Sequence, residues 1–310
     1  MGKWLKKNLG TVILLVLMTA GLCLLLYPTV ADWWNSYHQS RAIASYVEAL
    51  GDIDKDKKEE MLRLAAEYNQ RLSTDPARWN PNDAALAEYN SLLNITGNGI
   101  MGYIQINKIG VSLPLYHGTE EAVLQVAIGH LIGTSLPVGG ESTHCAVSGH
   151  RGLPSAKLFT DLDKLTEGDT FTVNVLDQTI TYQVDQIHIV EPEQMSDLEI
   201  TTGADYMTLV TCTPYGVNTH RMLVRGHRIE NLLGEIVVTA EGIRIPNYIV
   251  ALAVGVPMLF VLLVWVLIAY GRKRPTAESI LMEMERQAQE QQEQQEQQEQ
   301  QPRQDEPEQS

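Results

Sequence analysis

Two long apolar runs bracket a middle region with shorter, patterned segments. The first run, Asn8 to Ala31, is uncharged and centred on Val12-Ile-Leu-Leu-Val-Leu-Met. About 20 apolar residues span a bilayer, so this run predicts a transmembrane anchor in preference to a cleaved signal peptide. Lys3, Lys6 and Lys7 precede it and predict a cytoplasmic N-terminus. Trp33 and Trp34 follow it, where amphipathic rings suit the membrane interface. The second run, 247–270, ends at Gly271-Arg-Lys-Arg, which marks the far side of that span as cytoplasmic too. Both termini are then inside, and residues 32–246 face outside.

The middle region changes period along its length. Residues 35–72 repeat apolar positions at helical spacing, with a break at Gly51-Asp52 and a solvated charged turn over Asp54 to Glu60. Residues 73–83 are polar and stiffened by Pro76 and Pro81, and so read as a loop. A third short helix runs from Ala84 to Leu93, capped by Asn82 or Asp83. From Gly99 the pattern turns to short β-type runs. Candidate strands begin at Gly99, Val111, His144, Thr170, Thr179, Met207 and Arg221, with short outer helices at Glu120–Val126 and Ala156–Leu165. Many short strands with few helices predict a sandwich or a closed barrel, a mainly β fold.

The expected organisation is 1–31 basic N-terminus and anchor, 32–98 extracellular helical region, 99–232 β domain, 233–246 linker, 247–270 second span and 271–310 cytoplasmic tail. The Gln/Glu repeat in that tail, Gln287 to Gln301, has no core-forming residues and reads as disorder or a solvated helix.

Charge and cysteine usage narrow the function. The net charge is -15 and no basic stripe occurs, which argues against a nucleic-acid partner. Of three cysteines, Cys23 lies in the first apolar run, leaving Cys145 and Cys212 and no disulfide framework. No CxxC or HxxxH spacing occurs, so neither a metal nor another cofactor is expected. Cys212 ends an apolar run just before a Thr-Pro-Tyr-Gly turn, rigidly held and reachable, as a nucleophile must be. Period-two alternation puts Cys145 with Val147 on the opposite face from His144, Ala146 and Ser148, so Cys145 is expected in the core.

A thiol needs a base or a positive neighbour to act at neutral pH. His150 also ends an apolar run and enters a Gly/Pro loop, but spacing alone leaves His130 and His144 open. Arg221 opens the run after the Cys212 loop, with Arg225 as its competitor, while Arg151 and Arg228 read as surface residues.

Thr208-Leu-Val-Thr-Cys-Thr-Pro-Tyr-Gly-Val-Asn-Thr-His-Arg resembles the nucleophile segment of the class C, pilus-building sortases. The resemblance extends through Ile100-Met-Gly-Tyr-Ile, Leu113-Pro-Leu-Tyr-His-Gly-Thr, Gly129-His-Leu-Ile-Gly-Thr and Ser148-Gly-His-Arg-Gly-Leu-Pro. It implies an eight-stranded β-barrel with N-terminal helices and two flanking transmembrane helices. Carried over by motif, Cys212 is the nucleophile, His150 the acid/base and Arg221 the stabilising arginine. The implied reaction cleaves an LPxTG-like sorting signal through a Cys thioester, which a pilin lysine resolves as an isopeptide bond. Attachment of surface proteins to peptidoglycan is the alternative, and a non-catalytic membrane-tethered binding module is the reading from a different class. Class C members also carry a lid loop with Asp-Pro followed by an aromatic. Asp75-Pro76 matches, Ala77 departs, and Trp79 is the candidate plug, with Asp75 expected to pair with Arg221.

Overall fold

The structure, a computed structural model, describes residues 9–231, 255–258, 260–261, 263–265 and 277–299. Helix α1 (Leu9–Gly51) joins the apolar run to the first helix of the outer region without interruption. At 1.5 Å per residue it is about 64 Å long. From Val16 onward it is the one described helix long and apolar enough to cross a membrane. Leu14, Leu17, Leu24 and Leu25 stand exposed along it, as a lipid-facing surface requires. The later half docks on the body of the protein. Lys157 N donates to Asp32 Oδ1 (2.7 Å), and Asn35 Nδ2 donates to Ser155 O (2.8 Å). Tyr46 is fully buried, donating to Met101 O (2.9 Å) and accepting from Leu176 N (2.8 Å).

The helix ends at Gly51, where the sequence predicts its break. Helix α2 (Lys55–Leu72) starts on the Asp54 cap, which accepts from Lys57 N, and its first turn is solvated. Helix α3 (Asp83–Ser91) is capped by Asn82, which accepts from Ala85 N at 2.9 Å. The expected helix over 156–165 is absent; that segment holds only a one-turn 3-10 helix at Leu162–Lys164. Phe159, Leu162 and Leu165 are buried there, so packing rather than a helical repeat sets its course.

Eight strands close a barrel: β1 (Ile100–Ile106), β2 (Val111–His117), β3 (Ile128–His130), β4 (Thr143–Ser148), β5 (Thr170–Val175), β6 (Gln178–Val190), β7 (Asp205–Thr213) and β8 (His220–Ile229). Their order around the barrel is β1-β2-β3-β4-β7-β8-β6-β5. Strand β3 is the one that sequence periodicity does not register. The short helix α4 (Glu121–Leu124) lies in the β2–β3 connection. Alternate side chains fill the interior, among them Ile104, Leu115, Val147, Phe171, Tyr182, Leu209 and Val224. Cys145 joins them, 2% exposed, as its place on the inner face predicts.

The C-terminal helix Ala277–Glu299 belongs to a second compact unit and is exposed wherever its side chains are described. This is the solvated-helix form of the Gln/Glu tail. The expected second span, 247–270, and the basic residues after it lie largely outside the described residues; a short apolar helical stretch, Gly255–Trp265, falls within it.

Candidate active site

Two pairings decide what meets at one rim of the barrel. Strands β4 and β7 run parallel, with Ser148 beside Val210, so both C-terminal ends leave the barrel on the same side. Strand β8 runs antiparallel to β7 and begins at that rim, with Arg221 directly opposite Cys212. Residues in register share a face, so Cys212 and Arg221 project to the same, outer side.

His150 is drawn to the same rim by cross-links on both sides of it. Thr211 Oγ1 donates to Gly149 O (2.8 Å), and Arg151 Nη1 donates to Thr213 Oγ1 (3.4 Å). The neighbours of Cys212 thus hold the neighbours of His150. A third contact locks the two loops together: a Cβ on Gly152 would come within 2.9 Å of the Tyr215 ring, and φ there is +77°. Only glycine fits that approach.

The histidines left open by spacing are separated by their partners. His130 is fully buried; its Nε2 donates to Ser135 O (2.9 Å) and its Nδ1 accepts from Tyr89 Oη (2.9 Å). Burial pushes its pKa down to about 4. His144 is also buried, between Glu199 O (2.9 Å) and Thr208 Oγ1 (2.8 Å), and burial lowers its pKa as well. Both are neutral, fully engaged and structural. His150 is partly exposed, but its Nε2 is itself buried and makes no hydrogen bond. Glu121 Oε2 stands 3.8 Å from that nitrogen.

The arginines divide in the same way. A β-bulge between Val184 and Gln186 turns Asp185 toward Arg225, which grips it with Nε and Nη2 at 3.1 Å each. Arg225 also lies over the Tyr206 ring, 4.2 Å from its centroid. Arg221 donates only to the backbone carbonyls of Asn218 and His220, at 3.2 Å each. Its backbone lies opposite Cys212, and its fork has no side-chain counter-ion. Arg151, expected at the surface, is instead only 10% exposed and paired with Asp163.

The thiols differ as sharply. Burial pushes the Cys145 thiol well above its ordinary pKa, so it is inert; Cys212 is partly exposed. Among the described residues no cluster of His, Cys, Asp or Glu could hold a metal ion.

The chain resembles known sortases in sequence and in fold. The sortase domain model matches residues 104–229. Sortase C1 from Streptococcus agalactiae is 55% identical, with a TM-score of 0.61 over 62% of this chain and 100% of that one. The chain belongs to the class C sortases. Sortase C from Streptococcus pneumoniae is 44% identical, with a TM-score of 0.55 over 62% of this chain and 97% of that one. Sortase D from Bacillus subtilis is 26% identical over 41% of this chain, which spans 63% of that protein's length.

In this sortase the outer face next to Cys212 is not bare. Val210 and Leu223, one step along the β7–β8 ladder from Cys212 and Arg221, form a small apolar cluster with Ala146, Val190 and Leu198. Trp79 packs on that cluster. The 73–83 loop is fixed at its start by Asn69, whose side chain makes two bonds to the Leu136 backbone (2.7 and 3.1 Å). Gly133 supplies the seat: a Cβ there would lie 2.7 Å from both the Arg78 carbonyl and the Trp79 ring.

Asp75 does not pair with Arg221 as expected. Its Oδ1 accepts from Ala77 N (2.8 Å) and shapes the turn around Pro76. The electrostatic tie of the loop is Arg78, 7% exposed, which bonds Glu199 beyond β6 and stacks on Trp79 (4.6 Å). Sequence reasoning missed Arg78 and Glu199. An arginine next to the candidate plug is the only local signal, and its partner is 121 residues away.

Proposed function

We propose that this sortase is a membrane-anchored cysteine transpeptidase that cleaves an LPxTG-like sorting signal and joins pilin subunits through isopeptide bonds to lysine. The observation that carries the reading is the pair of cross-links, 211 to 149 and 151 to 213, that sets His150 alongside Cys212 with Arg221 opposite. The S. pneumoniae relative, studied for pilin substrate specificity, supports the choice of pilin as substrate. The apolar half of α1 supports anchoring, and the proposed topology keeps the barrel outside with both termini in the cytoplasm.

In the proposed cycle the Cys212 thiolate attacks the Thr carbonyl carbon of the sorting signal. Negative charge gathers on that oxygen, and the Arg221 guanidinium stabilises it. As the Thr–Gly bond breaks, the His150 imidazolium gives its proton to the leaving glycine nitrogen. A thioester remains. A lysine amine then attacks the same carbon, the carbon–sulfur bond breaks, and Cys212 leaves as thiolate. Trp79 over the Val210–Leu223 surface covers the binding strip and limits access to it.

The test is mass spectrometry of the full chain incubated with a sorting-signal peptide and a lysine-bearing pilin. A thioester adduct on Cys212 and an isopeptide product are expected, and Cys212→Ala gives neither. Polymer formed by Cys212→Ala sinks the enzyme reading; a product linked only to a peptidoglycan stem amine replaces pilus assembly with wall anchoring.

A further inference from the structure

The two sides of Cys212 are unlike. Down the barrel from Cys212 the outer face is apolar, from Leu131 after β3 across to Val190 of β6, and Trp79 packs on it. At the rim itself, beside His150, the neighbouring side chain is acidic. Helix α4 brings Glu121 to His150, with Oε2 3.8 Å from Nε2, and the residue remains 71% exposed. The carboxylate is oriented, since Gln125, four residues on, donates its amide to Oε1. Glu120, its neighbour, turns the other way and lies against Gly118. Also at the rim, Tyr215 and Val217 are exposed apolar side chains in the loop that follows Cys212, and Tyr215 approaches Gly152, next but one to His150.

Together these groups have the features of a lysine side chain in negative. An apolar wall suits the four-carbon stem, a carboxylate suits the ammonium, and an imidazole nitrogen without a hydrogen bond can take a proton. We propose that Glu121, with His150 and the Tyr215–Val217 loop, is the subsite for the acceptor amine, at the rim beyond the Trp79-covered donor strip. This deepens the transpeptidase reading and rests on it.

The chemistry balances as follows. Once the glycine amine has left, His150 is neutral. Glu121 pairs with the incoming lysine ammonium, which gives one proton to His150. The freed amine bonds to the thioester carbon and loses its second proton to water, while the carbon–sulfur bond breaks. Cys212 returns as thiolate beside imidazolium. Glu121 gains and loses no proton. Its task is to concentrate and aim a cation, because a lysine amine, with a pKa near about 10.4, arrives charged.

Charge on the acceptor is therefore the discriminating variable. The full chain in detergent, carrying Trp79→Ala so that the lid does not limit donor access, is given a sorting-signal peptide. Two nucleophiles are compared: Nα-acetyl-lysine amide, a cation, and hydroxylamine, neutral at neutral pH. Glu121→Gln is expected to lower lysine transfer roughly fivefold, as an exposed ion pair predicts. Thioester formation, hydrolysis and transfer to hydroxylamine stay unchanged, and so does Glu120→Gln on every readout. Equal losses with both nucleophiles overturn the proposal and make Glu121 a support for His150. Unchanged lysine transfer overturns it outright. Absence of any thioester before Glu121 is altered fails the transpeptidase reading instead, and the acceptor site falls with it.

Discussion

Single side chains at the rim are told apart by their partners. Cys145 and Cys212 have the same chemistry, but one is sealed in the barrel and the other is not. A small alkylating reagent is expected to modify Cys212 in the folded protein and Cys145 only after denaturation, which peptide mapping checks. The arginines make a second contrast. Arg221→Lys keeps a charge but loses the planar fork, and turnover is expected to fall about 10²-fold with little change in melting temperature. Arg225→Lys loses its grip on Asp185 and its stacking on Tyr206, so it is expected to lower stability by about 1 kcal/mol and leave thioester formation intact. Sequence alone ranked these pairs only through resemblance. Spacing could not show that His130 and His144 have both nitrogens occupied, because their partners, among them Tyr89, Glu199 and Thr208, come from distant segments.

Among the elements, legibility followed length. The long helices, their caps and break, and the longer strands all repeat often enough to show a period. Strand β3 has three residues, too few for one, and it forms because β2 and β4 offer it ladders on both sides. The apolar residues of 156–165 suggested a helix but are placed by burial beneath the His150 loop. The 73–83 loop was legible in its prolines, while its tie through Arg78 to Glu199 was not. Because Asp75 caps its own turn and Arg78 holds Glu199, the two residues should differ on mutation. Trp79→Ala and Glu199→Gln are expected to raise the alkylation rate of Cys212 severalfold, and Asp75→Ala to change it less. A larger effect from Asp75 than from Glu199 would count against this assignment of the latch.

The molecule as a whole responds to acid through its buried histidines. His130 has a folded pKa of about 4 against an ordinary 6.5, so it is neutral in the native state. Below pH 6.5 the unfolded chain binds a proton that the folded chain refuses. Stability is therefore complete above that value and falls as pH drops toward 4, by about 3 kcal/mol for His130 alone. His144 is shifted in the same direction. A steady fall in melting temperature between pH 7 and pH 5 is expected, and a flat profile would show that neither imidazole is neutral and sealed. Anchorage acts at this scale too. The apolar half of α1 continues through Pro28 into contacts with the body of the protein at Asp32.

The parallel pairing of β4 with β7 has a consequence in time. The contacts that bring His150 to Cys212 bridge 62 residues of chain, and no local turn can make them early. Such long closures are late events, because chain entropy is spent before the contacts repay it. Until the ladder zips, Cys212 has neither His150 nor Arg221 beside it, and the proposed chemistry has no means to run. A half-collapsed chain is on the proposed reading chemically disarmed, and its reactivity switches on only when the architecture that restrains it is complete.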